Sequence, residues 1–124
     1  MGDAVTVLLI ALGAAVGAPL RYLTDRAVQA RHASPFPWGT LTVNVLGSLV
    51  LGALVAVPAG PAVAALLGTG FCGALTTYST FGYETLRLAR DGSRHLAAAN
   101  VLASVAAGLG AATVGYAATH ALLG

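Results

Sequence analysis

HASPFPWGTLTVNVLGSLVLGALVAVPAGPAVAALLGTGFCGALTTYSTFGY, residues 32 to 83, contains no Asp, Glu, Lys or Arg. Two shorter charge-free stretches, 4 to 20 and 95 to 124, stand on either side of it. An ionised side chain at bilayer depth costs about 2.5–3.5 kcal/mol even on lenient insertion scales, so apolar, charge-free runs of this length mark membrane segments. The middle stretch is 52 residues long, far beyond the ~20 that cross a ~30 Å hydrocarbon core. It must turn back, and Pro58-Ala-Gly-Pro61 is the place for the turn. Four transmembrane helices are therefore expected, near 4–22, 39–57, 62–87 and 95–123, as one domain of an all-α membrane protein over 1–124.

Composition excludes the main rivals. Charged residues make up 8% of the 124 residues, where a soluble domain carries about 25%, so a water-facing enzyme surface cannot be assembled. With 57% hydrophobic residues, disorder is excluded as well. The single cysteine, Cys72, rules out a disulfide framework within the chain. Six arginines and no lysine, dispersed along the sequence, do not make a nucleic-acid surface. His32, His95 and His120 lie scattered near span ends, and no carboxylate pair or nucleophile and base recur at useful spacing, so no enzyme is expected. Small residues Ala14 to Ala18 after an apolar run have the look of a cleavage region. The segment before them holds Asp3 and no basic residue, so the first span is read as a retained helix. Met1-Gly2 with Thr6 matches a myristoylation pattern too short to count.

The arginines report orientation. With four spans, loops 23–38 and 88–94 share one side of the membrane. Arg26, Arg31, Arg90 and Arg94 fall in those loops, and Arg21 and Arg87 stand at the helix ends that enter them. The positive-inside rule then places both loops in the cytoplasm and both termini outside.

Inside the spans, small residues recur: Gly13 and Gly17 in the first, Gly68, Gly70 and Gly73 in the third, and many Ala and Gly in the fourth. Such faces let helix backbones approach closely. They serve either to pack four short helices together or to build a dimer, and so small a chain encloses little volume for a pathway of its own.

Polar side chains within apolar spans are functional candidates. Thr40, Asn44 and Ser48 recur every four residues and share one helix face, and Asn100 and Ser104 repeat that spacing in the last span. A lone hydroxyl usually bonds back to the carbonyl four residues earlier. Asn44 cannot satisfy both ends of its amide in that way. In the third span, Gly70-Phe-Cys-Gly-Ala-Leu-Thr-Thr-Tyr-Ser-Thr-Phe81 places a β-branched, hydroxyl-rich run just after clustered glycines, which makes a poor helix. A break here would free backbone carbonyls able to coordinate a cation. The alternative is a kink patched by the threonine hydroxyls.

These blocks, together with Gly17-Ala-Pro-Leu-Arg-Tyr22, Gly39-Thr-Leu-Thr-Val-Asn44-Val-Leu-Gly47-Ser48, Glu84 and Asn100-Val-Leu-Ala-Ser104, resemble the CrcB/Fluc fluoride channels. The resemblance touches all four spans in order. It implies a passive, fluoride-selective channel in the cell membrane that relieves fluoride toxicity by export. It also implies that two four-helix subunits associate as an antiparallel, dual-topology-type dimer, with the third helix broken mid-membrane and a structural Na+ at the centre of the interface. By the same resemblance, Gly73 and Thr76 would offer backbone carbonyls to that sodium. Asn44 would hydrogen-bond fluoride, and Tyr78 and Phe81 would line the pore with ring edges. Ser79, Thr80 and Ser104 would supply hydroxyls along the track, with Glu84 near one end and Arg21 in the aqueous vestibule.

The chemistry suits the ion. Fluoride is small and strongly hydrated, so a pore must replace its water with amides, hydroxyls and the positive edges of aromatic rings. A buried lysine or arginine would hold it too tightly for conduction, and the spans contain none. Two features depart from the family. Tyr78 stands where the first aromatic of the motif is usually Phe, and transport is expected to survive the added hydroxyl. The arginine split of six to none does not suit a chain that inserts both ways, so the expected partner is an opposite-topology paralogue, with an antiparallel homodimer as the alternative. A proton-coupled small multidrug exporter would need a carboxylate within 4–20, which has none. A non-transporting membrane assembly subunit would leave Asn44 and the Thr/Ser cluster without purpose.

Overall fold

The computed structural model describes residues 2–58 and 60–123. Helix α1 spans Asp3–Gln29 and α2 spans Trp38–Ala56. Helix α3 runs over 61–75: it opens on Pro61, passes through a π-helical stretch, Ala64–Cys72, and closes with Gly73–Leu75. Thr76, Thr77 and Tyr78 are not helical. The chain resumes in α4, Ser79–Arg90, and ends in α5, Arg94–Leu123. Taken with α3 and α4 as one span, four helices are long and apolar enough to cross a membrane. Among the described residues there is no strand. The expected turn at 58–61 includes Ala59, which lies outside the described residues, as does Met1 of the myristoylation pattern.

The ends differ from expectation in one respect. Helix α1 does not stop at Tyr22 but continues to Gln29, leaving a connection over 30–37. Charge ends a membrane segment, not a helix: once the chain leaves the hydrocarbon, Arg26 donates to the Tyr22 hydroxyl at 2.9 Å, and its guanidinium lies 5.6 Å from the centre of the same ring. Such pairs at four-residue spacing support helix in water. Gln29 then ties the extension to the next element, accepting from the Gly39 N–H at 3.2 Å and donating to the Phe36 carbonyl at 3.3 Å. Likewise α4 reaches Arg90, and only 91–93 join it to α5. Gly92, at φ 82, forms this turn. The Ser93 N–H bonds the Leu88 carbonyl and the Gly92 N–H that of Ala89, an arrangement that needs a left-handed residue between them.

Only seven hydrophobic residues are buried among those described, Val43 and Leu88 most completely, so a conventional apolar core does not hold the chain together. Val7, Leu8, Leu102, Leu109 and many others face outward, a surface suited to lipid. Cohesion comes instead from backbone approach. Gly13 and Gly70 set α1 against α3, and Gly52 and Gly115 set α2 against α5; a Cβ at any of the four would collide with a carbonyl of the facing helix. Dispersion between closely packed backbones is what associates helices in a solvent as apolar as they are.

Candidate functional site

The site is organised by the interruption at Thr76–Tyr78. A continuous helix would pair each carbonyl with the N–H four residues on. Here that ladder fails because Thr76 is extended, at φ -83 and ψ 163. Asn44, on α2, takes the place of the missing partners: its Oδ1 accepts from the Thr77 N–H at 2.7 Å and its Nδ2 donates to the Thr77 carbonyl at 3.0 Å. Thr77 in turn accepts from the Thr80 N–H through its own hydroxyl at 3.2 Å, capping the first turn of α4. Thr76 does what lone threonines do in helices, donating to the Cys72 carbonyl at 2.9 Å. The hydroxyl-rich run therefore combines both expected readings: one threonine patches the end of α3, and the next sits in a true break.

The diverted donors leave the Gly73 and Thr76 carbonyls among those that have no hydrogen-bond partner within the described residues. Thr77 N–H, the helical partner of the Gly73 carbonyl, goes to Asn44, and Thr80 N–H, that of the Thr76 carbonyl, goes to the Thr77 hydroxyl. Gly73 and Thr76 both line a groove of about 460 Å³ beside the break. Two uncharged oxygens of this kind fit a hard, oxygen-loving monovalent cation. Among the described residues no cluster of His, Cys, Asp or Glu offers a side-chain metal site.

The same groove gathers Asn44, Ser48, Tyr78, Phe81 and Ser104 from α2, the break, α4 and α5. Tyr78 is 86% exposed and stands at an open rim, its ring centre 6.4 Å from that of the partly buried Phe81. With Thr77 already holding its oxygen and one amide hydrogen, Asn44 has one N–H left for a ligand. Among the described residues no lysine or arginine lines the groove.

The remaining expected residues lie elsewhere. Arg21 and Thr80 line a smaller cavity of about 130 Å³ with Asp25, Thr40 and Thr77. Thr77 borders both spaces, so the break is the wall between them. Glu84 accepts from the Thr40 hydroxyl at 2.6 Å, which fastens α4 to the face of α2 that bears Asn44. Ser79 is exposed and lines neither space.

Some site residues are not evident from the sequence. Asn100 stands out there only by its spacing to Ser104. It is 1% exposed, donating to the Thr85 hydroxyl at 2.9 Å and accepting from Ser104 at 3.3 Å. Thr85 passes its own proton to the Phe81 carbonyl at 2.8 Å, so α5 holds α4 through a buried polar chain that ends in the groove at Ser104. Asp25 carries no sequence signal beyond its residue type, and Thr77 is marked in the sequence only as a member of the hydroxyl-rich run.

Sequence comparisons relate the chain to one family of known proteins. The sequence model of a family described as CrcB-like protein, Camphor Resistance (CrcB), matches residues 8–116. The chain is 63% identical over 127 aligned positions to fluoride-specific ion channel FluC 1 of Frankia casuarinae, covering 94% of this chain and 98% of that protein. It is 62% identical to FluC 1 of Streptomyces avermitilis over 87% of this chain and 90% of that protein. It is 51% identical to FluC 2 of Rhodococcus jostii over 90% of this chain and 96% of that one.

Proposed function

The chain belongs to the CrcB family, and from that premise we propose that it is a subunit of a fluoride-selective channel and not an enzyme. The observation that carries the reading is the groove at the break. Amide, hydroxyl and aromatic groups converge there with no fixed positive charge, which is what passing a small hard anion requires. Asn44 contributes its remaining N–H, Ser104 its hydroxyl, and Phe81 and Tyr78 their ring edges. Arg21, in the smaller cavity beyond Thr77, raises the local anion concentration without holding the ion in the path. Thr80 in the smaller cavity, with Ser79 and Glu84, which line neither space in one subunit, would continue the track along α4.

The groove is open on one side and rimmed by an exposed tyrosine, so the pathway is completed by a second subunit. The strong arginine asymmetry supports a partner of opposite topology, as do relatives numbered FluC 1 and FluC 2; an antiparallel homodimer is the other assembly. Both arginine-bearing connections face the cytoplasm of the cell membrane and both termini face outward. Gly73 and Thr76 would hold a structural Na+ at the interface, where it would supply a fixed charge that pins the two broken helices together. Transport is passive, carrying fluoride out of the cell.

The test is fluoride release, read by a fluoride electrode, with chloride release as control. It is made on liposomes holding the purified chain and on liposomes holding it with a relative of opposite arginine bias. Fluoride release without chloride from either preparation is expected. No fluoride release from both, or chloride passing equally fast, overturns the reading.

A further inference from the structure

Hydroxyls in membrane helices ordinarily donate to the carbonyl four residues back, which removes them as donors for a ligand. This chain shows the habit at Thr6, Thr42, Thr76, Thr85 and Thr113. Ser48 breaks it. The Asn44 carbonyl lies one turn before it, yet among the described residues the Ser48 hydroxyl has no hydrogen-bond partner, although the side chain is partly buried. Its position is not neutral: it is one turn along α2 from Asn44, on the same face, and it lines the groove with Ser104 on the facing helix α5.

The facing helix keeps the space over this hydroxyl clear. Gly108 lies opposite, and a Cβ there would come within 3.7 Å of Ser48 Oγ. With glycine at that position no side chain from 108 covers the oxygen. Ser104, by contrast, already donates to Asn100, so an anion must compete for its proton. Of the two groove serines, Ser48 is the one whose proton is uncommitted.

We propose that Ser48 is an anion-binding residue of the pathway, donating its hydroxyl proton to fluoride one helical turn beyond Asn44. This rests on the channel reading above and extends it: the two residues make a two-step ladder of donors along one face of α2. Spaced weak donors of this sort allow an ion to be passed on without being trapped.

The experiment compares wild type, Ser48→Ala and Ser48→Thr in whichever liposome preparation releases fluoride, measuring initial rate against internal fluoride concentration. Ser48→Ala removes one hydrogen bond to a charged group and is expected to slow release about tenfold and to raise the half-saturating fluoride concentration. Its thermal midpoint in detergent should equal that of wild type, since no partner within the protein is lost. Ser48→Thr keeps the hydroxyl and should stay within about twofold of wild type. Gly108→Ala places a methyl over the oxygen and should lower the rate with Ser48 intact. Wild-type rate and half-saturation in Ser48→Ala overturn the assignment while leaving the channel reading in place. Absence of fluoride release from wild type overturns both.

Discussion

Replacing Asn44 by alanine separates two roles the residue can play. The side chain makes two hydrogen bonds to the backbone of Thr77, at 2.7 and 3.0 Å, and Thr77 is 9% exposed. Alanine leaves both backbone groups without a partner at a place where the helix cannot supply one. An orphaned buried donor or acceptor costs about 1–3 kcal/mol. Side-chain bonds between membrane helices average nearer about 0.6 kcal/mol, because the disrupted state finds substitutes. Here Thr77 borders the groove, so water relieves part of the penalty, and the lower end of the range applies to each group: about 2 kcal/mol for the pair. If Asn44 braces the break, Asn44→Ala loses fluoride transport and thermal stability together. The measurement pairs fluoride release with unfolding in detergent, followed through Trp38, the single tryptophan. Asn44→Asp should fare no better: it keeps the acceptor for the Thr77 N–H but turns an oxygen toward the Thr77 carbonyl. An Asn44→Ala protein that unfolds at the wild-type temperature while losing transport would refute the brace and leave Asn44 as an anion ligand alone.

Tyr78→Phe should change stability by less than about 0.5 kcal/mol, because the ring is 86% exposed and its hydroxyl bonds to no described residue. Wild type should already transport; a silent wild type restored by this substitution would contradict that expectation. Gly52→Ala forces α2 away from the Ala112 carbonyl on α5 and should cost about 1–3 kcal/mol as overpacking. Gly110→Ala, which meets nothing within 4 Å, should leave the melting midpoint unchanged, and equal midpoints for the two would show that close approach does not hold α2 to α5. Asn100→Ala removes the shared partner of Thr85 and Ser104 and should destabilise by about 1–3 kcal/mol; restoration of full stability by Asn100→Leu would show the polar chain to be dispensable. Reporter fusions at the C-terminus should give the signal of an outward-facing end, and a cytoplasmic signal would reject the orientation drawn from the arginines.

Four spans were legible because the bilayer penalises charge so heavily that the gaps between charged residues nearly outline the helices. The same logic misplaced the end of α1: Arg26 and Gln29 lie past the hydrocarbon, where charge is no obstacle and local pairing with Tyr22 and Gly39 favours another two turns. The break was legible in kind, since glycines followed by β-branched hydroxyl residues cannot propagate a helix well. What it does to Asn44 was not. A sequence shows that an amide in a membrane needs partners; only the crossing of α2 with the break shows that the partner is the Thr77 backbone. Asn100 shows the same limit: its spacing to Ser104 was visible, while its bond to Thr85 depends on how the 91–93 turn returns α5 along α4.

The break also explains how one short segment presents both free donors and free acceptors. An intact helix is inert at mid-membrane because every N–H is spent on a carbonyl. Interrupting it liberates donors and acceptors together. Of the donors, Thr77 N–H and Thr80 N–H are taken by the Asn44 oxygen and the Thr77 hydroxyl, while Tyr78 N–H, like the Gly73 and Thr76 carbonyls, has no hydrogen-bond partner among the described residues, and the resumed helix presents the open N–H groups of any helix start. The side-chain donors of the groove, from Asn44, Ser48 and Ser104, stand on α2 and α5. A substitution that removes only a groove donor, such as Ser48→Ala, should accordingly alter anion passage alone, whereas Asn44→Ala, which also releases the Thr77 backbone, should alter passage and stability together.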